Sequence, residues 1–361
     1  MRGADPTGVP AWKRYGFLAA LLIPFAPLTG WALGRATGAP DLFAWFAVAF
    51  YFVGIPLLDL AIGEHRANPT DPQCRRMAAD RSYRSLTIAA LPLQLVAVTL
   101  GAWVFASGAL GPAGQIGWTL SIGFASGALG INVAHELVHK SSRLEQWIGG
   151  VLLALVCYGS FKIEHVRGHH LDIGTARDGT TARLNQDIYD YYLRALLGNP
   201  LKAWRLEAAR LRGRGASAWS WRNEVLVWHA VSCAFALAAF ALFGWHGLVF
   251  FCGQALAAIC LLETINYVEH YGLQRRQHAD GSYERVSAQH SWESPALLSN
   301  LMLLQLQRHA DHHMYPRRPY PLLRHSPQSP QLPAGYAAMV WLALVPPLWK
   351  RVMNPRVRAA T

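Results

Sequence analysis

Six stretches of this chain are too long and too apolar to be ordinary core helices. They are Tyr15–Gly34, Leu42–Gly63, Leu86–Ser107, Gln115–Ala134, Val225–Phe243 and His246–Val268. A helix needs about 20 apolar residues to cross roughly 30 Å of hydrocarbon, and each run meets or nearly meets that length. Their interiors hold very few formal charges, Asp59 and Glu263 being the clear cases. A charge at such depth is costly and is by default functional or paired; for Asp59, near the end of its run, snorkelling to the interface is the alternative. Composition agrees, with 15% charged residues against about 25% in soluble domains. No long Pro/Ser/Gly-rich linker divides the 361 residues. The expected fold is therefore one all-α integral-membrane domain over residues 1–361. It is a bundle of six transmembrane helices, with residues 135–224 and 269–361 outside the bilayer. The N-terminus has no cleavable-signal pattern, because its first apolar run goes on to full spanning length.

The loops set the orientation. Of the 33 lysines and arginines, all but Arg35 fall on one side if the N-terminus starts in the cytoplasm. The positive-inside rule then puts the fourth and sixth runs ending at the cytoplasmic face. Histidines wait at both ends. His135 and His139 follow the fourth run, and Glu269 and His270 follow the sixth. His165, His169 and His170 lie in one cytoplasmic segment, and His309, His312 and His313 in the other. Nine of the 15 histidines thus converge at one membrane face.

His135 and His139 are four apart, so on a helix they share a face and both reach one ion. His165 and His169 repeat that spacing, and His170 adds a second direction. His309, His312 and His313 use spacings of three and four. Neutral imidazole binds Zn, Cu, Fe and Ni. Nine ligands exceed what one ion takes, so two transition-metal ions are expected. Glu136, Glu164, Glu269 and Asp311 each sit beside a candidate ligand, and carboxylates commonly hold the second N–H of a ligating histidine. Glu269 and Asp311 are the acidic candidates for a catalytic role, and Glu269 also has the option of approaching the metals directly. The other histidines, His290 included, are assigned to structure. The five cysteines form no C-x-x-C pair, which argues against an Fe–S or rubredoxin-type site in the chain.

Between the second histidine block and the fifth run, Leu201, Trp204, Ala208 and Leu211 recur at helical spacing among basic residues. They predict an amphipathic helix, lying on the inner leaflet or packed on the cytoplasmic part of the protein. Gly335–Trp349 is apolar but broken by Pro346-Pro347, and reads as re-entrant or interfacial. Three other functions fit single features. A zinc protease uses His-Glu-x-x-His with one ion and leaves six histidines unexplained. A metal transporter keeps its site near the bilayer midplane, not at helix ends. A lipid desaturase is the nearest enzymatic rival.

The four blocks together resemble the integral-membrane alkane 1-monooxygenases, within the membrane desaturase/hydroxylase group. The three boxes of the wider group are similar to His135-Glu136-Leu137-Val138-His139-Lys140, Glu164–His170 and Leu306–His313. The narrower signature is Asn266-Tyr267-Val268-Glu269-His270-Tyr271-Gly272-Leu273, which desaturases lack. The resemblance implies a six-helix bundle with a non-haem di-iron centre on the nine histidines. It implies O2-dependent hydroxylation of terminal methyl groups, with electrons from rubredoxin and its NADH-dependent reductase. The expected substrate is a hydrophobic small molecule, and the location is the bacterial inner membrane with the site on the cytoplasmic side. Val138, Ala310 and Met314-Tyr315 depart from many relatives, and related xylene and cymene methyl hydroxylases share much of the pattern. The net charge of +12 suits an acidic soluble electron carrier, although positive-inside bias accounts for most of it. No nucleic-acid partner is expected.

Overall fold

The structure, a computed structural model, describes residues 8–360. Arg2, one of the 33 lysines and arginines, lies outside them. Among the described residues the chain is helical, with only isolated β-bridges. Helix α1 (Ala11–Leu22) meets α2 (Phe25–Thr37) at a 52° bend, where Pro24 and Pro27 interrupt the backbone ladder. Then follow α3 (Pro40–Ile62), α4 (Arg81–Ala106) and α5 (Pro112–Val138). Next are α6 (Arg143–Ala154), α7 (residues 161–172), α8 (Ile188–Arg212) and α9 (Glu224–His270). The C-terminal part holds α10 (Leu297–Met302), α11 (His309–Met314), α12 (Tyr336–Ala343) and α13 (Pro346–Ala360).

Four helices, α3, α4, α5 and α9, are long and apolar enough to cross a membrane, and the bent pair α1–α2 is a fifth candidate. The protein is a multi-pass membrane protein. The runs expected at 225–243 and 246–268 both lie in α9, which is broken at Gly244 (φ 62°, ψ −155°). That conformation suits glycine. The chain doubles back there: a Cβ on Gly247 would sit 2.4 Å from the Ala239 carbonyl oxygen, an approach that no straight helix allows over eight residues.

Helix α5 is the innermost element, with Trp118, Ile122, Leu129 and Ile131 fully buried. It packs closely on the second half of α9, because a Cβ on Gly123 would meet Ala257 Cβ at 2.5 Å and the Gln254 carbonyl at 2.7 Å. Small residues at spanning-helix interfaces permit such approach. A buried chain of polar side chains locks the same interface. Gln94 Nε2 donates to Ser126 Oγ (2.5 Å), Ser126 Oγ to Gln254 Oε1 (2.9 Å), and Gln254 Nε2 to the Leu155 carbonyl (2.9 Å).

The two charges noted inside the apolar runs are both buried and both partnered. Glu263 accepts from Tyr158 (2.5 Å), Tyr191 (3.1 Å) and Asn266 (3.2 Å). Asp59 does not snorkel. It accepts from the Ser299 hydroxyl and from the Ser299 backbone N–H at 3.0 Å, and so caps α10 from a separate element. Helix α8 buries Ala195, Asn199, Ala203, Glu207 and Leu211, while Leu201 is exposed and Trp204 half-buried. Ala208 is buried as well, so the packed stripe keeps Ala208 and Leu211 of the expected one, excludes Leu201 and includes a carboxylate. Burial opposes the Glu207 charge, but Arg210, the Glu224 N–H and Arg167 hold its pKa down at about 2. Helix α12 buries Tyr336, Met339, Val340 and Ala343, and Trp341 Nε1 donates to the Phe52 carbonyl of α3. Trp103 and Trp245 are exposed, whereas Trp118 is buried and donates to the Gly101 carbonyl.

Helix α10 precedes the last histidine block, so Asp59 links a spanning helix to that block. Removing a buried acceptor leaves Ser299 unpaired and costs about 1–3 kcal/mol. Asp59→Ala is expected to lower the thermal midpoint of the solubilised protein, and Asp59→Asn, which keeps an acceptor, to lower it less. An unchanged midpoint in Asp59→Ala contradicts the capping role.

Candidate metal centre

All nine candidate histidines come together, in two groups. His135, His139, His165, His170 and His312 form one; His169, His270, His309 and His313 form the other. Within each group one nitrogen per residue lies within 4.8 Å of every other. His135 and His139 share a group, as their spacing predicts. His165 and His169 do not. Residues His165–His169 form a π-helical turn, in which positions five apart line up instead of four. His165 therefore shares a group with His170, and His169 turns to the other. On α11, His309 and His313 pair at four and His312 points across. A second π-turn, Ser126–Ile131, precedes His135.

The nitrogens face one another directly. In the first group Nε2–Nε2 distances are 3.0 Å for His139–His165, 3.0 Å for His165–His170 and 3.1 Å for His170–His312. In the second they are 3.2 Å for His169–His313, 2.9 Å for His313–His309 and 3.1 Å for His309–His270. A neutral imidazole nitrogen has one in-plane position, a proton or a lone pair. His165, His170, His309 and His313 each have two such neighbours and so can pair properly with at most one. One cation satisfies them together. A metal–imidazole bond of about 2.0–2.1 Å puts nitrogens at right angles about 3 Å apart. The donor set fits transition-metal binding on this geometry. Burial, reinforced by neighbouring imidazoles, pushes His165, His170, His309, His312 and His313 well below the usual histidine range. At neutral pH they are uncharged, which is the ligating form.

The acidic neighbours behave differently from expectation. Glu136 pairs with Lys140 and accepts from the Tyr320 N–H. Asp311 pairs with Arg318 and accepts from the Arg324 N–H. Glu164 lies 3.4 Å from Lys202; burial and the Asp178 carboxylate push its pKa up to about 7, against His169 and Lys202. None of these three has a bond to a clustered histidine among the described residues. Adjacent positions on a helix point about 100° apart, so a carboxylate next to a ligand faces elsewhere. Glu269 alone reaches the groups, with Oε2 3.2 Å from His309 Nε2, the nitrogen that faces the other ligands.

The carboxylate that orients a ligand is Asp178, which the sequence reading missed. Its Oδ2 accepts from His169 Nδ1 (2.9 Å) and from Thr181 Oγ1 (2.6 Å), and its Oδ1 from the Thr180 N–H (3.1 Å). Burial opposes both charges of this pair. Even so, the Asp178 charge raises His169, and His169 with Thr181 holds Asp178 below the usual carboxylate range. The available signal was slight: an acidic residue, Asp178, set among Thr175, Thr180 and Thr181 shortly after the second box. His290 lies outside both groups, accepting from the Ser287 N–H and meeting Glu284.

A cavity of about 100 Å³ opens beside the histidines. Its wall is mainly apolar, including Tyr51, Ile55, Phe124, Leu262, Met302 and Val340, and His135, His165 and His309 border it.

An all-helical, multi-pass chain with two convergent histidine groups defines a class, and the family model described as fatty acid desaturase matches residues 110–343, which span all nine histidines. An alkane 1-monooxygenase 2 of Pseudomonas aeruginosa is 47% identical over 353 residues, 96% of this chain and 93% of that protein. An alkane 1-monooxygenase 2 of Alcanivorax borkumensis is 45% identical over 358 residues, 98% of this chain and 94% of that protein. A hydroxylase component of xylene/toluene monooxygenase from Pseudomonas putida is 28% identical over 244 residues, 67% of this chain and 64% of that protein. The chain belongs to the alkane 1-monooxygenase family.

Removing a carboxylate that orients a metal-binding histidine typically weakens metal affinity about 10–100-fold. Asp178→Ala is expected to do so, whereas Glu136→Gln, which disturbs only Lys140 and the Tyr320 N–H, is expected to stay within a few fold. Iron retained against a graded chelator measures this, and equal losses in the two variants contradict the assignment.

Proposed function

We propose that this chain is a non-haem di-iron monooxygenase that hydroxylates the terminal methyl of alkanes to 1-alcohols, with O2 as co-substrate. The observation that carries the reading is five and four imidazole nitrogens converging at one end of an apolar cavity. His135, His139, His165, His170 and His312 hold one iron; His169, His270, His309 and His313 hold the other. Two irons bound there supply the oxygenation: one atom of O2 enters the methyl C–H bond, the other leaves as water, and two electrons and two protons are taken up.

The protein brings the methyl end to His135, His165 and His309 and keeps bulk water out with the apolar wall. Asp178 fixes the proton of His169 on Nδ1, so that Nε2 turns inward. Glu269 stands between the cavity and the second group, within reach of the reacting end. Asp311, held by Arg318, fixes α11 instead of entering the chemistry. An alkane has no polar handle, so selection rests on cavity shape. One methylene is worth only about 1–3 kcal/mol in such a pocket, which predicts broad chain-length tolerance.

Residues 1–361 form one membrane domain of six spans, with α1–α2 as one span and the halves of α9 as two. The N-terminus and the histidines lie on the cytoplasmic side of the bacterial inner membrane. The distribution of Lys and Arg supports this orientation. Electrons come from rubredoxin and its NADH-dependent reductase. Arg177 and Arg276, exposed close to the segment that follows His170, suit an acidic carrier, and a rubredoxin-coupled rate that ignores salt would remove electrostatic steering.

The test supplies membranes with rubredoxin, reductase and NADH, and offers alkanes of varied length beside xylene and cymene. Terminal alcohols of the alkanes are expected. Alkenes would instead make the chain a desaturase, and benzylic alcohols alone an alkyl-aromatic hydroxylase. Ala337 lines the cavity, and Ala337→Phe is expected to cut turnover of the longest accepted alkanes most, at unchanged iron content; an equal loss at every chain length speaks against the cavity as the alkane site.

A further inference from the structure

The cavity has a polar element that an alkane does not need. Five uncharged or acidic polar side chains line it besides the histidines and Tyr51: Asn132, Asn266, Glu269, Ser299 and Tyr336. Two are committed elsewhere, Asn266 to Glu263 and Ser299 to Asp59. The other three each present an unpartnered buried atom: Asn132 Nδ2, Glu269 Oε1 and the Tyr336 hydroxyl. These residues are 7%, 1% and 0% exposed. An unpaired polar group buried in an apolar surround is destabilising unless a ligand completes it.

All three stand toward the histidine end of the cavity. Asn132 is one helical turn before His135 on α5, and both border the cavity. Glu269 Oε2 lies against His309 Nε2. Tyr336 faces the Glu269 carboxylate closely enough to interact with it, but the pair is too poorly aligned to satisfy either the Tyr336 hydroxyl or Glu269 Oε1; the Tyr336 backbone N–H is held at 2.8 Å by Gln307 Oε1, two residues before His309. The set comprises one acceptor and two donors from three separate helices. A hydroxyl group has the complementary inventory, one proton to give and two lone pairs.

We propose that Asn132, Glu269 and Tyr336 form a hydroxyl-binding subsite that takes the head of a primary alcohol. The subsite rests on the alkane-hydroxylase reading, because there the hydroxyl arises on the terminal carbon beside these groups. The product gives its proton to Glu269 Oε1 and accepts from Tyr336 and Asn132, while its chain keeps the position of the alkane. Primary alcohols therefore hold the site more tightly than alkanes of equal length and inhibit turnover competitively.

The test measures anaerobic binding of decane and 1-decanol to the iron-loaded full chain in nanodiscs, corrected for uptake by protein-free nanodiscs. The alcohol is expected to bind about tenfold tighter, equivalent to about 1.4 kcal/mol. Tyr336→Phe and Asn132→Leu each reduce that ratio several-fold, the double variant brings it near unity, and decane affinity and iron content hold. A wild-type ratio near unity overturns the subsite, as do variants that weaken both ligands equally. The wild-type ratio and Asn132→Leu decide the matter even where Tyr336→Phe fails to fold. Failure of the parent reading looks different: no saturable decane binding and no 1-decanol from decane. A protein that binds and hydroxylates decane without favouring the alcohol overturns the subsite alone.

Discussion

Imidazole lone pairs turned toward one another at about 3 Å repel unless a cation stands among them, and the helical framework is arranged to hold nine such nitrogens in place. None of the contributing elements achieves this alone. His135 and His139 come from the end of α5, His270 from the end of α9, and the rest from two short helical segments outside the long spans. Burial keeps His165, His170, His309, His312 and His313 uncharged and so poised for metal, while Asp178 acts on His169 in the opposite direction. The same burial makes an unligated site costly, so metal affinity and folding are coupled in this fold.

The apolar helices do more than anchor the chain. Their interiors contain polar groups, and most are paired with a group on another element. Gln94, Ser126 and Gln254 join α4, α5 and α9. Glu263 ties α9 to Tyr158 and Tyr191, and Asp59 ties α3 to α10. Each bond limits the freedom of an element that carries histidines or, as with α10, leads into one that does. Against that background the unsatisfied atoms of Asn132, Glu269 and Tyr336 stand out, since all three border the apolar cavity beside the histidines.

Much of this was legible in the sequence. The apolar runs located the long helices, and the four blocks named every histidine that converges. The partition of those histidines was not legible, because spacing rules assume α-helical pitch and His165–His169 is a π-turn. Nor was the orienting carboxylate. Proximity in sequence favoured Glu136, Glu164 and Asp311, but neighbours along a helix diverge, and the group that reaches a ligand is Asp178, from a loop. Asp59 looked like an interfacial charge because it lies near the end of its run. Its partner, Ser299, is 240 residues away, a distance that no local pattern reports. The break in α9 falls in the gap between the runs expected at 225–243 and 246–268, at Gly244, where only glycine enters the required backbone conformation at ease.

The central claim is that two irons are held almost wholly by imidazole in two separate sets. Iron-edge X-ray absorption on the purified protein, with iron counted per chain, tests it most directly. Two irons per chain, each with nearest neighbours dominated by imidazole nitrogen, is the predicted result. One iron per chain, or a coordination sphere rich in carboxylate oxygen or in sulfur, would contradict it.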